Sequence, residues 1–168
     1  MLHYMIKLDQ FRTKKPQEID IPVDRIVSIH ECAPLRLTDR SIPISRLLLS
    51  AENHIEYSYF IAETLGNIKS KIKAGFEEYL KGCNPDSLLA LSLDEFPVFH
   101  TVSDIDQHAL MMIPLNRIER YKNSHKSRCI ITINGNDYSI DESHAQLTDN
   151  KVKLERELIQ LMRNNKLI

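Results

Sequence analysis

Apolar and polar residues alternate in several short runs of the chain, and this pattern predicts β-strands. The first such run covers residues 4–11, and a second covers residues 97–102. A third run, 129–133, is apolar and β-branched; it precedes Asn134 and Gly135, after which Tyr138 and Ile140 alternate with polar residues. An Asn-Gly pair favours a two-residue hairpin turn because both turn positions require a positive φ. The pattern therefore predicts antiparallel strands joined by tight turns.

Two other stretches carry apolar residues three and four positions apart, which is typical of amphipathic helices. The first helix is predicted to end at Gly82 in a left-handed cap, with Pro85 just beyond it. Each apolar stripe is expected to pack on a sheet, and a groove for a partner helix is the alternative. The stripe residues are Leu65, Ile68, Ile72, Phe76, Tyr79 and Leu80 in the first helix, and Leu154, Leu158, Leu161 and Met162 in the second.

A six-residue motif, Ile-Pro-apolar-(Asp/Asn/Ser)-Arg-(Ile/Leu), occurs at residues 21–26, 42–47 and 113–118. Proline cannot donate to a strand ladder, so it marks a strand end or edge. The short polar residue favours a local turn. A second pattern, Tyr-x-Ile-x-Glu, occurs at residues 59–63 and 138–142, ahead of each predicted helix. These matches indicate an internal repeat built on a strand–turn–strand device.

The repeat leads to a prediction of fold class. We expect an α+β protein of two tandem antiparallel β-hairpin units, each followed by an amphipathic helix. The first unit covers residues 1–82 and the second covers residues 93–168, with a connector at residues 83–92.

Composition narrows the functional classes. The 168 residues include 22 Lys and Arg against 23 Asp and Glu, so the net charge of −1 argues against a generally basic nucleic-acid coat. Four glycines leave no Gly-rich phosphate loop. Cys32, Cys83 and Cys129 are far apart and form no CxxC pair, which favours reduced thiols. With neither a signal-peptide pattern nor an apolar stretch of membrane-spanning length, the expected compartment is the cytoplasm.

Residues 110–147 resemble two small families, the FlbD-like proteins of flagellar operons and the first half of LytTR-type DNA-binding domains. The resemblance is carried by the motif at 113–118, the Asn134-Gly135 turn, and the strand end Tyr-Ser-Ile-Asp-Glu-Ser at 138–143. It implies a β-hairpin followed by a helix. The LytTR-type domains continue into an Arg-rich DNA-contacting segment that has no counterpart here.

Candidate binding residues come from the repeat. Arg25, Arg46 and Arg117 occupy the same motif position, where guanidinium groups could grip a phosphate, a carboxylate or an acidic partner. The alternative is a surface arginine whose methylenes cover the strand. Tyr57 and Tyr59 share a strand face by alternation, and such a pair could stack bases or fill a half-buried sheet.

One set of residues suggests metal or acid–base chemistry. On a single strand, His100, Asp104, Asp106 and His108 would share a face and could bind a divalent metal. A turn at residues 103–106 would separate them, and the turn is the favoured interpretation. We therefore expect no catalytic set, no metal and no cofactor.

These observations predict a non-enzymatic binding or regulatory module. It would sequester or mask a protein partner or a small anionic, nucleotide-like ligand, and would act as a homo-oligomer without a membrane. The alternative is a LytTR-like DNA-binding regulator. An enzyme using the His and Asp residues of 100–108 is the third hypothesis.

Overall fold

A computed structural model describes residues 3–51, 55–84, 86 and 95–165 of the protein. In these residues ten strands form one antiparallel sheet, accompanied by two long helices. The strands are β1 Met5–Gln10, β2 Gln17–Pro22, β3 Ile26–Arg36, β4 Ser41–Ser50, β5 Glu56–Ile61, β6 Phe99–Asp104, β7 Ala109–Pro114, β8 Arg120–His125, β9 Arg128–Ile133 and β10 Asn136–Ile140. The helices are α1 Leu65–Lys81 and α2 His144–Asn164.

The order of the strands across the sheet is β2-β1-β5-β4-β3-β7-β6-β10-β9-β8. Within each half of the chain the order is therefore the same: second, first, fifth, fourth, third. The halves meet where β3 pairs antiparallel with β7, with Ile29 opposite Met112. This pairing makes one continuous sheet out of two similar five-stranded halves.

The prediction of two tandem hairpin units, each with its own helix, is wrong. Each half contributes five strands, and the strands of both halves share one sheet. The physical reason lies in the two central strands, where residues 26–30 of β3 and 111–114 of β7 are buried without interruption. Continuous burial is typical of strands covered on both faces, so separate units would leave apolar edges in water. The predicted connector, 83–92, lies largely outside the described residues.

Two copies of the motif form the predicted turn. In both, the proline ends a strand and a short 3₁₀ turn follows, Val23–Arg25 in the first half and Leu115–Arg117 in the second. The third copy, 42–47, instead lies inside β4. Pro43 is tolerated there because the β3–β4 register is interrupted opposite it, between Cys32 and Leu35.

Local signals account for the helix ends and for one hairpin. Thr64 caps α1 by accepting from the Asn67 N–H at 3.1 Å, and α2 begins with a reciprocal capping box. Gly82 ends α1 as predicted, but in a right-handed conformation with φ of −90°. The Asn134-Gly135 turn between β9 and β10 is confirmed, with φ of 52° and 78°.

The core lies between the sheet and its helices. Tyr4, Ile6 and Leu8 of the β1 region are buried on the face that α1 covers, and the Tyr4 hydroxyl donates to the Ile72 carbonyl at 3.0 Å. Within the described part of the chain, neither helix is long and apolar enough to cross a membrane.

Two glycines of α1 are expected to respond to alanine in opposite directions. A Cβ at Gly75 would lie 2.9 Å from side-chain atoms of Ile6 and Tyr4, whereas a Cβ at Gly66 meets no atom within 4 Å. We expect Gly66→Ala to raise the free energy of unfolding by about 0.5 kcal/mol. Gly75→Ala should lower it by about 1 kcal/mol or more, because packed β1 side chains must move. Urea denaturation followed by circular dichroism checks both, and equal gains would contradict the close packing of α1 on β1.

Candidate functional site

Three side chains form a row across adjacent strands near the centre of the sheet. Phe60 of β5 is the register partner of Arg46 on β4, and Arg46 is the partner of His30 on β3. Directly opposed residues project from the same face, with Cβ atoms about 5 Å apart. An aromatic ring, a guanidinium group and an imidazole therefore stand side by side. We call this set the central row.

The central row lies in a cleft with a volume of about 690 Å³. Residues 31–34 of β3, which include the β-bulge, contribute to the lining on one side. Residues 107–110, at the turn from β6 into β7, contribute on another. His108 at that turn has a positive φ of 49°. The cleft therefore depends on two irregular features of the sheet, the bulge and the turn.

His30 is held in place by a buried carboxylate. Its Nε2 lies 3.0 Å from Oδ2 of Asp104, and the two residues are only 6% and 3% exposed. The other oxygen of Asp104 accepts from the backbone N–H groups of Asp106 and Gln107 at 3.1 and 3.2 Å. The turn between β6 and β7 thus anchors the carboxylate, and the carboxylate orients the imidazole.

The imidazole of His30 is neutral at pH 7. Burial lowers its pKa below the ordinary 6.5, and this outweighs the opposing hydrogen bond and charge of Asp104, while the Arg46 charge lowers the pKa further. An ionised carboxylate only accepts hydrogen bonds, so Nε2 carries the proton. Nδ1 then holds a lone pair and can accept a hydrogen bond. The Tyr138 ring packs against the imidazole, with centroids 5.9 Å apart.

This shift predicts a pH dependence of stability. Since the folded pKa lies below 6.5, the unfolded chain binds the proton more tightly. The contribution of His30 is therefore fully present above pH 6.5 and is lost as the pH falls from 6.5 to the folded pKa. Between about pH 7.5 and about pH 5.5, the thermal unfolding temperature should fall less in His30→Gln than in the wild type. The exposed His125→Gln is the control, and an unchanged drop in His30→Gln would contradict the assignment.

Arg46 offers an unneutralised charge beside an exposed ring. In the described part of the chain no carboxylate lies within ion-pairing distance of its guanidinium group. Phe60 is 51% exposed, although large apolar side chains are usually more buried. Glu31 also lines the cleft, so the lining carries one formal charge of each sign. The cleft thus presents a cation and an aromatic face to solvent.

The structure does not bring the five predicted binding residues together. The Arg117 guanidinium donates to the backbone carbonyls of Asp24 and Ile26 at 2.8 and 3.0 Å, so it joins the two halves. Arg25 is exposed at the corresponding place in the first half.

The two predicted tyrosines lie apart from Arg46. Tyr57 and Tyr59 are register partners of Leu49 and Leu47, on the sheet face opposite the central row. Tyr59 packs against the core, and Tyr57 is 55% exposed.

A turn separates the His and Asp residues of 100–108, but it lies at residues 105–108 and not at the predicted 103–106, because Ser103 and Asp104 still belong to β6. His100 bonds Glu142 at 2.9 Å and Asp104 bonds His30, whereas Asp106 and His108 belong to the turn. Within the described residues no three His, Cys, Asp or Glu side chains are grouped closely enough to hold a metal ion.

Two features of the candidate site could not be predicted from the sequence patterns: the position of Phe60 and the contact between His30 and Asp104. Phe60 occupies the strand face opposite Tyr57 and Tyr59, and only the pairing of β5 with β4 places it beside Arg46. His30 and Asp104 are 74 positions apart, and no local signal links them. No protein-family model, no curated protein and no solved structure matches the chain. The likeness of residues 110–147 to FlbD-like and LytTR-type proteins therefore stays a prediction.

Proposed function

We propose that the protein is a non-enzymatic binding module that holds a small anionic ligand with a flat ring, such as a nucleoside monophosphate, in the cleft of the central row. The observation that carries the proposal is the cross-strand alignment of Phe60, Arg46 and His30. Each member supplies a different kind of contact. Sequestering such a ligand requires no chemical step.

The three contacts suit one kind of molecule. The Arg46 fork binds a phosphate or carboxylate through two parallel hydrogen bonds. A ring stacks on the exposed face of Phe60, as bases do on aromatic residues of single-strand binders. A donor on the ligand bonds Nδ1 of His30, whose orientation Asp104 maintains. Together these contacts favour a ligand with an anionic end, a flat ring and a donor.

Size and charge limit the ligand further. A cleft of about 690 Å³ is within the range of small-molecule sites. Arg46 is the one arginine of the described cleft, and Glu31 lies on its lining. A ligand with one phosphate or carboxylate fits this balance, whereas a triphosphate would meet too little positive charge.

Calorimetric titration with each of the common ribonucleoside 5′-monophosphates tests the proposal. At least one should bind the wild type, and Arg46→Ala should weaken its binding at least about tenfold because the guanidinium contact is lost. Phe60→Ala should weaken binding of the nucleotide but leave binding of inorganic phosphate unchanged, because only the nucleotide has a ring that stacks on Phe60. Arg156→Ala, an exposed arginine on α2, is the matched control. Absence of binding, or equal loss in the Arg46 and Arg156 variants, would overturn the proposal.

The DNA-binding alternative is favoured by one observation, the basic β8–β9 hairpin. Its exposed cations are Arg120, Lys122, Lys126 and Arg128. Duplex binding through this hairpin would weaken steeply with salt. A gel shift at low salt that is lost in Lys126→Ala would support this alternative, and the absence of any shift would exclude it.

A further inference from the structure

The sheet ends in two free edges that are related by the repeat. In the described structure β2 pairs only with β1, and β8 pairs only with β9. By strand order β2 corresponds to β7, and β8 corresponds to β3. The pair β3–β7 is the one that joins the halves inside the chain. The free edges are therefore the same two kinds of strand that already pair internally.

We propose that β8 of one copy pairs antiparallel with β2 of the next copy, so that the chain associates head to tail. The pairing would repeat the internal β3–β7 junction. The partner at this edge is therefore a second copy of this chain, and the association is separate from the ligand binding proposed for the cleft.

The repeat specifies the register of this contact. The two turn motifs are 92 positions apart, so the internal pair Ile29–Met112 corresponds to Tyr121 opposite Asp20. By the same offset, His30–Met111 corresponds to Lys122 opposite Ile19. One residue of slip would exchange the faces of every side chain, so this register is a specific expectation.

The charges of the two edges favour unlike pairing. β2 carries Glu18 and Asp20, whereas β8 carries Arg120 and Lys122, and all four are exposed. Charged edge residues block indiscriminate strand addition. In the register above, Asp20 lies opposite Tyr121 and Lys122 lies opposite Ile19, so the acidic and basic side chains project from opposite faces and are not directly opposed. The difference in sign between the edges therefore acts over a longer range: it steers β2 towards β8 and disfavours contact between two like edges.

The position of Arg25 is a second, independent observation that favours pairing of β8 with β2 of the next copy. At the internal junction its counterpart, Arg117, donates to the Asp24 and Ile26 carbonyls and lies 3.3 Å from Ser50 Oγ. The Arg25 side chain is exposed and makes no hydrogen bond or ion pair within the described residues. In the head-to-tail contact it would approach the Asn116 and Ile118 carbonyls of the neighbouring copy, which correspond to those of Asp24 and Ile26. Association would thus complete a second copy of the internal clamp.

Charge reversal tests the proposal on the full chain. One variant carries Glu18→Lys and Asp20→Lys, which makes both of its edges basic, and the other carries Arg120→Glu and Lys122→Glu, which makes both acidic. Sedimentation over a range of micromolar concentrations should show association of the wild type that weakens with salt. Each variant alone should stay a single chain. An equal mixture of the two should associate again, because each basic edge then meets an acidic one.

A single substitution separates the clamp from general edge electrostatics. Arg25→Ala should weaken self-association at least about tenfold, whereas Arg156→Ala should leave it unchanged. A wild type that stays at single-chain mass throughout would overturn the proposal. So would association that survives in either charge-reversed variant alone, or a mixture that fails to associate when the wild type does.

Discussion

Replacing Phe76 with alanine is expected to lower the free energy of unfolding by about 3–5 kcal/mol. Phe76 is completely buried on α1. Its ring lies 6.4 Å from that of Tyr4 and 6.1 Å from that of Phe96, measured between centroids. Tyr4 precedes β1 in the first half, and Phe96 precedes β6 in the second, so the cavity would open where the two halves meet α1. Urea denaturation monitored by circular dichroism measures the loss.

Phe60→Ala is the matched control for this prediction. The same side-chain atoms are removed, but from a ring that is 51% exposed on the far face of the sheet. Its effect on stability should stay within about 0.5 kcal/mol. A loss below about 1 kcal/mol for Phe76→Ala, or equal losses for both variants, would contradict the packing of α1 described above.

The elements of this fold that depend on local chemistry could be predicted from the sequence. The stripe from Leu65 to Leu80 predicted α1, and the Asn134-Gly135 pair predicted the β9–β10 turn with its positive φ values. The two outer motif copies predicted turns because proline removes a ladder donor wherever it stands. These signals depend only on residues a few positions apart, so they can be interpreted without knowledge of tertiary contacts.

The joining of the halves could not be predicted in this way. It depends on pairing between β3 and β7, more than 80 positions apart, and no turn specifies that pairing. One sign was present in the composition of the two strands: Ile26–Ile29 and Leu110–Ile113 are nearly continuous apolar runs rather than alternating ones. Such runs are typical of strands buried on both faces, and they belong at the centre of a sheet.

The residues of the candidate site could likewise be predicted only where a local pattern marks them. Arg46 could be selected because it repeats a motif position, yet its motif copy forms a strand instead of a turn. Its neighbours Phe60 and His30 belong to the site through cross-strand register alone. Register is a property of pairs of strands, so a pattern read along one strand cannot supply it.

The motif arginines thus have different roles in the two halves. Arg117 is enclosed at the junction, where burial lowers its pKa from the ordinary value and the Asp24 and Glu119 charges oppose that shift. Arg25, at the same motif position, is exposed. Within one chain, the same sequence motif therefore yields a clamp between the halves at one site and an exposed cation at the other. The comparison of the two arginines separates the effect of the motif from that of its surroundings.

Arg117→Met is expected to lower the free energy of unfolding by about 3 kcal/mol. Methionine keeps much of the apolar stem but removes the donors to the Asp24 and Ile26 carbonyls. Both carbonyls belong to the first half, so the loss falls on the junction between the halves. Arg117→Lys should recover only part of the stability, because an ammonium lacks the planar fork that reaches several acceptors. Chemical denaturation at low protein concentration measures all variants.

Arg25→Met is the control at the equivalent motif position. In dilute solution it should change the free energy of unfolding by no more than about 0.5 kcal/mol, because its side chain is exposed and makes no hydrogen bond or ion pair within the described residues. If both methionine variants lost the same free energy of unfolding, the stabilisation would come from the motif itself and not from the junction between the halves. A loss confined to Arg117→Met would instead attribute the stability to contacts between the halves. That outcome would also show that a repeat of local sequence acquires its role from the strand that lies beside it.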